Sequence, residues 1–330
     1  MGSNHQPKVS VIVPIYNVEK YIERCVRSLM EQTLDDIEYI FVNDATPDNS
    51  MDVLNRVINE YPERLPMIKI INNETNEGSA STRKKGMKAA NGKYQIHCDS
   101  DDWVDYDMYE VMYNKANDTN SDVVVCDFIN EYHDHNSIET FVDINDFKTE
   151  ALKARWQYWW SLINRLVKSE IIKSHDIYPI DGVNYTEDLN TMMRIYYYSE
   201  SINHIHKPLY HYDRTNEGSI VHKDKYTNIT QHAKSLKYLY EYFFNLPNTE
   251  HIIQLLKLSH ISLRDTLISA ELNKESWIIW RKTLPYTYKF VEENNNLSKT
   301  YKTIYKMASK GFVIPFKIYI WLSGVKNSHS

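Results

Sequence analysis

The chain has 330 residues, enough for about two domains and a sizeable buried core. Its hydrophobic content of 42%, charged content of 25% and net charge of −6 are ordinary for a globular protein and give no general nucleic-acid footprint. Three cysteines without pairing or metal spacing indicate buried, reduced thiols in a cytosolic protein. No apolar signal region opens the chain and no run approaches ~18 apolar residues, so we expect neither secretion nor a membrane span.

Strand and helix patterns alternate from residue 8 onward. Continuous apolar, β-branched runs predict strands buried on both faces at residues 8–14, 37–42, 67–72, 94–98 and 122–127. Apolar residues at helical spacing predict helices between them at residues 18–30, 51–60 and 79–90. This alternation predicts an α/β domain with a mostly parallel sheet flanked by helices.

Three carboxylates within four residues, Asp99, Asp101 and Asp102, follow the strand at 94–98. Adjacent anions repel one another, and a hard divalent cation such as Mg²⁺ or Mn²⁺ would relieve that repulsion. A turn in which Asp and Ser bond the local backbone is the alternative. Ligands of parallel sheets bind outside the carboxyl ends of the strands, so Asp44 and residues 14–16 should lie near these acids.

A second acidic pair, Glu187 and Asp188, opens an amphipathic helix that continues through Tyr198. Acids in a first helical turn also interact favourably with the helix dipole, so a capping role for this pair is an alternative to a catalytic one. Upstream, residues 163–172 lead into a helix, and the aromatic residues at 156–160 would either stack on sugars or pack in the core.

The C-terminal part of the chain has long helical periodicity over residues 226–310, and we place a domain boundary near residue 222. The tail at 306–326 mixes lysines with bulky apolar residues. It would either lie on an anionic membrane surface or dock on the domain as a last helix.

Five segments in this order resemble inverting glycosyltransferases of family 2, which have the GT-A fold. The segments are residues 9–17, 43–48, 76–86, 99–102 and 186–188. The resemblance covers residues 8–222 as the GT-A domain and leaves residues 223–330 as a helical C-terminal domain. Asn43 replaces the family's first loop Asp, Ala45 replaces a Gly and Lys84 replaces an Asn. The Gln-x-x-Arg-Trp motif of processive synthases is absent from the sequence, which favours single-sugar transfer.

The resemblance also implies roles for individual residues. Those expected to bind the nucleotide-sugar are Pro14, Tyr16, Asp44, Arg83, Asp99 and Ser100. Asp101, with Asp99, would hold Mn²⁺ or Mg²⁺, and Asp188, supported by Glu187, would deprotonate the acceptor hydroxyl. Residues that would contact phosphate or acceptor are Asp102, Arg165 and Arg214. Both arginines could equally be surface salt-bridge residues.

The implied activity is metal-dependent, inverting transfer of one hexosyl or N-acetylhexosaminyl unit from a nucleotide-diphospho-sugar, most often a UDP-sugar. The acceptor would be a hydroxyl of a glycan or lipid-linked molecule, in capsule, exopolysaccharide or lipopolysaccharide assembly. We expect a cytoplasmic protein, with peripheral membrane contact through the tail and no nucleic-acid partner. Two alternatives remain. A sugar-phosphate nucleotidyltransferase would need a Gly-rich loop that the sequence lacks, and a non-catalytic binding scaffold would not need the intact acids.

Overall fold

The computed structural model describes residues 5–140, 160–216, 225–270, 274–282, 287–295 and 297–322. The chain divides into two compact units, Met1–Ser219 and Ile220–Ser330. Of the aromatic run at 156–160 only Trp160 is among the described residues, and the tail beyond residue 322 also lies outside them.

The described part of the first unit contains one nine-stranded sheet. Its strands are β1 (Val9–Ile15), β2 (Ile37–Asn43), β3 (Ile68–Asn72), β4 (Tyr94–His97), β5 (Trp103–Val104), β6 (Val123–Glu131), β7 (Asn136–Glu139), β8 (Arg165–Lys168) and β9 (Ile202–Asp213). They lie in the order β3-β2-β1-β4-β8-β6-β9-β5, and β7 pairs with β6. Strands β5, β7 and β8 run antiparallel to their neighbours and the others share one direction, so the predicted, mostly parallel sheet is confirmed.

Helices flank this sheet. They are α1 (Ile22–Met30), α2 (Ser50–Ile58), α3 (Ser79–Ala89), α4 (Met108–Thr119), α5 (Ser169–Ser174) and α6 (Glu187–Tyr198). On α1 the buried residues recur at helical spacing, and every residue of β4 is buried, as expected for a sheet covered on both faces.

One helix boundary differs from the prediction, and one strand was not predicted. The helix expected from Val18 begins at Ile22, and Asn17 before it has a left-handed φ of 56°. Residues 163–172 lead into a helix as expected, and it begins at Ser169, but Arg165–Lys168 before it pairs with both β4 and β6 as a strand that was not predicted. Short apolar runs of this kind suit either structure, and the long-range pairing decides between them.

The sheet brings the predicted site residues to one edge. Strand β1 pairs in parallel with both β2 and β4, so the three strands end side by side. Tyr16, Asp44 and Asp99 follow these strands closely in sequence, and the Asp44 N–H donates to Ile15 O at 3.0 Å. The three cysteines, Cys25, Cys98 and Cys126, are buried free thiols, as predicted.

The second unit is helical, which confirms the predicted C-terminal α-helical region. Its helices are α7 (Lys225–Phe244), α8 (Glu250–Ala270), α9 (Lys274–Lys282), α10 (Thr287–Glu293), α11 (Lys299–Ser309) and α12 (Ile314–Leu322). Trp280, Tyr305 and Phe316 pack together in its core with ring centroids 5.4–5.8 Å apart. None of the described helices combines the length and apolar character needed to cross a bilayer.

Candidate active site

The acid cluster predicted after β4 forms a tight group. Asp99, Asp101 and Asp102 each offer one carboxylate oxygen, and these oxygens lie within 4.8 Å of one another. Burial, reinforced by repulsion from Asp99, raises the pKa of Asp101 to about 6. Burial also raises the pKa of Asp102 well above its ordinary value, and repulsion from Asp101 adds to the effect. The negative charge of the cluster is therefore poorly compensated by the protein itself.

Asp102 is anchored to the last strand of the sheet. Its Oδ2 accepts a hydrogen bond from the Tyr210 hydroxyl at 2.6 Å, and its Oδ1 accepts one from the Asp213 N–H at 2.8 Å. The same Tyr210 hydroxyl accepts a hydrogen bond from the Asp99 N–H at 3.1 Å. Since Asp102 is 1% exposed and both its oxygens accept hydrogen bonds, its contacts hold the cluster in place.

Arg83 of α3 joins the acid cluster to the second acidic pair. Its Nη2 donates to Asp99 Oδ1 at 2.5 Å, and its Nε lies 3.4 Å from Glu187 Oε1. Burial alone would lower the pKa of Arg83, but Asp99, Glu187 and Asp188 outweigh it and raise that pKa above its usual range. His97 lies 3.4 Å from Arg83 Nη1, and burial lowers its pKa well below the ordinary value, so His97 is neutral.

The second acidic pair begins helix α6. Thr186, immediately before it, has a φ of 69°, which is strained for a β-branched residue. Burial raises the pKa of Glu187 to about 7 against the opposing effect of Arg83, and burial also raises the pKa of Asp188. Carboxylates with pKa values moved towards neutrality are suited to proton transfer.

Asp44 lies at the end of β2 and holds the loop before α3. Its Oδ1 accepts hydrogen bonds from Asn73 Nδ2 and the Glu77 N–H, both at 2.8 Å, and its Oδ2 accepts one from the Gly78 N–H at 2.9 Å. Ala45, where the family pattern has Gly, adopts a left-handed φ of 52°. The turn has thus kept the backbone shape that favours Gly although it carries a side chain.

Gly78 brings the loop before α3 against the segment that precedes α6. It has a φ of 87°, and a Cβ added there would lie 2.2 Å from Asn184 Nδ2. The Asn184 side chain accepts a hydrogen bond from the Ala80 N–H at 3.0 Å, and its backbone oxygen accepts one from Ser79 Oγ at 3.2 Å. These contacts fix the separation between the two halves of the site.

The remaining predicted site residues differ in exposure. Tyr16 is 42% exposed after β1, Pro14 is half-buried, and Ser100 is buried beside the acids. Arg165 is fully buried and contacts Tyr196 and Asn164, so the surface alternative for Arg165 is wrong.

Arg214 is half-buried and lies at the end of β9. Its Nε donates to Asn130 Oδ1 at 2.7 Å, and its guanidinium lies over the Tyr212 ring at 4.2 Å. Both contacts are with uncharged side chains.

Sequence reasoning missed several contributors to this site. Asn216 Nδ2 donates to Asp101 Oδ2 at 2.8 Å, and Arg24 Nη2 donates to the Asp101 backbone oxygen at 3.1 Å. Arg24 also pairs with Asp213 at 2.5 Å. These contacts join residues far apart in sequence, so local sequence patterns do not predict them. Strand β9 is rich in polar residues before its end at Asp213, so its sequence does not single out the residues that contact the acids.

Comparison with known proteins gives consistent results. Residues 10–166 match the family model described as glycosyl transferase family 2. EpsH of Bacillus subtilis (strain 168), which carries a glycosyltransferase name, is 34% identical over 230 residues, covering 66% of this chain and 63% of EpsH. The chain therefore spans less than two thirds of that relative.

Solved structures share the fold. S. aureus TarS 1–349 in complex with UDP-GlcNAc has a TM-score of 0.74 at 19% identity, covering 96% of this chain and 92% of TarS 1–349. The mannosyltransferase PcManGT from Pyrobaculum calidifontis, in complex with GDP-Man and Mn²⁺, has a TM-score of 0.55 at 15% identity, covering 96% and 84%.

The sheet, its flanking helices and these likenesses define a GT-A transferase fold. Within that class, residues 10–166 match the model of glycosyl transferase family 2 and form a domain of that type.

Proposed function

We propose that this protein transfers one sugar from a nucleotide-diphospho-sugar to an acceptor hydroxyl, with inversion at the anomeric carbon. Residues 8–222 would carry the chemistry, and residues 223–330 would contact a partner or membrane. The observation that supports this most is the position of Arg83, which contacts Asp99 of the acid cluster and Glu187 of the second acidic pair. Groups suited to a diphosphate and groups suited to an acceptor proton thus share one site.

The acid cluster fits a divalent cation, either Mn²⁺ or Mg²⁺. Asp99 Oδ1 is bonded to Arg83 and Asp101 Oδ2 to Asn216, so the second oxygen of each carboxylate would contact the ion. Oxygen ligands and poorly compensated charge are what such cations prefer. When bound, the ion would stabilise the negative charge that develops on the diphosphate leaving group. The Mn²⁺ in the structure of PcManGT supports this assignment.

The donor we propose is a UDP-sugar, which TarS binds in the complex described above. Asp44, Pro14 and Tyr16 would surround the base at the ends of β1 and β2. Asp44 is already oriented by the N–H groups of Glu77 and Gly78, which prepares its carboxylate to accept a further hydrogen bond from the base. Arg83 and Ser100 would face the ribose and diphosphate.

Asp188 would act as the general base. Its raised pKa brings it nearer to neutral pH, where a base is most efficient at taking a hydroxyl proton. Glu187, whose pKa is about 7, would support Asp188 through its contact with Arg83, since its carboxylate offsets part of the Arg83 charge beside the proposed base. One base on the acceptor side is sufficient for a single inverting displacement.

Calorimetric titration of UDP, GDP and dTDP, each with and without Mn²⁺, tests the donor half of the proposal. We expect UDP to bind in a Mn²⁺-dependent way and Asp101→Ala to abolish that dependence. Asp118→Ala, a substitution of an exposed acid on α4 of the same unit, is the control and should bind UDP as the wild type does. Binding of another nucleotide would change the donor class, and the absence of all nucleotide binding would leave the non-catalytic scaffold.

We further propose that the acceptor is a glycan or lipid-linked molecule at the cytoplasmic face of the membrane, in cell-surface polysaccharide assembly. Apolar side chains around α12 support a membrane contact, since Phe312, Ile314 and Ile318 are 63%, 67% and 52% exposed. Lys310 and Lys317 lie among them in sequence and suit anionic headgroups.

Cosedimentation with phosphatidylglycerol vesicles tests the membrane contact. Replacing Ile314 and Ile318 with Ser should release the protein from the vesicles. Leu258→Ser, at a 48% exposed position on α8, should not. Equal release of both variants, or no vesicle binding by the wild type, would contradict the membrane contact without affecting the transferase proposal.

A further inference from the structure

A second group of metal-binding side chains lies within the β6–β9 pair. Asp127 of β6 and His204 and His206 of β9 each offer one ligand atom, and these atoms lie within 4.8 Å of one another. We call these three residues the Asp127 cluster. His204 Nε2 is 2.7 Å from Asp127 Oδ1, and both side chains are more than nine-tenths buried. None of the three belongs to the candidate active site.

An irregularity in the strand pairing builds the Asp127 cluster. Val125 pairs with His204 and Cys126 with Ile205, but Asp127 pairs with Pro208 instead of His206. The pairing skips His206 and Lys207, and such bulges re-aim side chains and are common near functional sites. His206 therefore lies in the irregular part of β9, where its ligand atom comes within 4.8 Å of those of His204 and Asp127.

Contacts around the Asp127 cluster fit metal binding better than simple packing. A buried Asp–His hydrogen bond would account for His204 alone. The imidazole of His206 adds a second nitrogen donor to the cluster, and its ring centroid lies 4.1 Å from that of His204. Lys207, the next residue, pairs with Asp107 at 2.6 Å.

The ligand types select a class of ion. Imidazole nitrogens favour zinc, copper, cobalt or nickel ions, whereas Mg²⁺ and Mn²⁺ prefer sites made of oxygen. We propose that Asp127, His204 and His206 bind one divalent transition-metal ion such as Zn²⁺ at a site separate from the acid cluster. Bond lengths of about 2.0–2.2 Å to a tetrahedral ion would require Asp127 Oδ1 and His204 Nε2, now 2.7 Å apart, to separate slightly.

The proposed ion would cross-link two strands of the sheet. Asp127 lies on β6 and both histidines on β9, so the ion would connect strands that are distant in sequence. Three protein ligands leave a coordination position for water, and the exposed His206 gives access from solvent. Because the full ligand set exists only in the folded protein, binding would stabilise the fold.

Calorimetric titration of the EDTA-treated, full-length protein with Zn²⁺, in excess Mg²⁺, tests the proposal. We expect one Zn²⁺ per chain and an affinity that falls at least about tenfold in His206→Gln. Because His206 is exposed, this variant should keep its fold, which circular dichroism can check. His135→Gln, an exposed histidine that also lies beside an Asp, is the matched control and should bind like the wild type.

Two further measurements separate this site from the active site. Asp101→Ala should retain the Zn²⁺ affinity, and Zn²⁺ should raise the melting temperature of the wild type but not of His206→Gln. Equal Zn²⁺ affinity in wild type and His206→Gln would overturn the proposal. So would loss of the Zn²⁺ affinity in Asp101→Ala, or the absence of Zn²⁺ binding by the wild type.

Discussion

Arg83 sets the charge balance of the candidate active site. It is one buried cation with three carboxylates around it, those of Asp99, Glu187 and Asp188. Burial raises the pKa values of Glu187 and Asp188, and the neighbouring carboxylates add to the shift although Arg83 opposes it. A bound cation and a bound diphosphate would both change this balance, so donor and acceptor chemistry are linked through one side chain.

Replacing the proposed base should separate binding from turnover. We expect Asp188→Asn to lower kcat by at least about 10²-fold while UDP affinity changes little, because only proton removal is lost. Initial rates with the donor that calorimetry identifies, together with UDP titration, provide the measurement. Asp181→Asn, a change at an acid whose side chain is 61% exposed, should retain kcat. Unchanged turnover in Asp188→Asn would assign the base elsewhere.

Tyr210 offers a second test at the scale of one residue. Its hydroxyl donates to Asp102 and accepts from the Asp99 N–H, so Tyr210→Phe leaves buried polar groups with fewer partners. We expect the free energy of unfolding to fall by about 1–3 kcal/mol and Mn²⁺-dependent UDP binding to weaken. Chemical denaturation measures the first effect and calorimetry the second. Tyr212→Phe, on the same strand, should cost less, and equal losses would contradict this role for Tyr210.

At the scale of elements, the site depends on how closely α3 approaches the start of α6. Gly78 permits that approach, and its left-handed φ and the nearby Asn184 side chain both disfavour a larger residue. Another glycine, Gly182, has a similar φ of 74° but no heavy atom within 4 Å of its would-be Cβ. An alanine at Gly182 would meet backbone strain alone, whereas an alanine at Gly78 would meet backbone strain and steric overlap together.

Alanine substitution at these two glycines should give different losses. Gly182→Ala should lower the free energy of unfolding by about 1–2 kcal/mol, the cost of a left-handed alanine. Gly78→Ala should lower it by more and also weaken UDP binding, because Asn184 must move away from the Ala80 N–H. Denaturation and calorimetry of both variants check this. Equal losses would show that Asn184 moves aside easily.

Local pattern predicted the elements that contribute most of the site, but not the contacts between them. Continuous apolar runs located β1, β2 and β4, and the acids after β4 were evident from their spacing. The sequence does not distinguish Asn184 and Asn216 from other asparagines in polar loops, because their roles depend on long-range contacts. Strand β8 was missed because Arg-Leu-Val-Lys is too short to show a period and is defined by its pairing with β4 and β6.

At the scale of the whole molecule, the helical unit should be sensitive to acid through His260. This residue is fully buried beside Tyr240 and Phe290, and burial lowers its pKa to about 4. The unfolded chain, with a pKa of about 6.5, binds the proton first as the pH falls. The stability contribution is therefore complete above pH ~6.5 and lost between pH ~6.5 and ~4, by up to about 3 kcal/mol.

Denaturation of the second unit at pH 8 and pH 5 measures this dependence. His260→Phe, which suits the aromatic surroundings, should reduce the pH dependence whatever its effect at pH 8. The contribution of His232, whose pKa burial also lowers to about 4, should remain. His133→Gln, at an exposed position of the first unit, should leave that dependence unchanged. An unaltered pH dependence in His260→Phe would assign the acid sensitivity to other groups.

The separation of the site's contacts along the chain also has a consequence for synthesis on the ribosome. Asp44 bonds partners 29 and 34 residues away, whereas Asp102 and Asp101 are held by side chains 108 and 115 residues downstream. Closing the longer loops is slower and requires β9 to have left the ribosome. The pocket around Asp44 that is proposed to hold the nucleotide's base can therefore form while the acid cluster is still incomplete. A nascent chain should acquire metal-dependent nucleotide binding only after residue 216 emerges, as the last step in the assembly of this site.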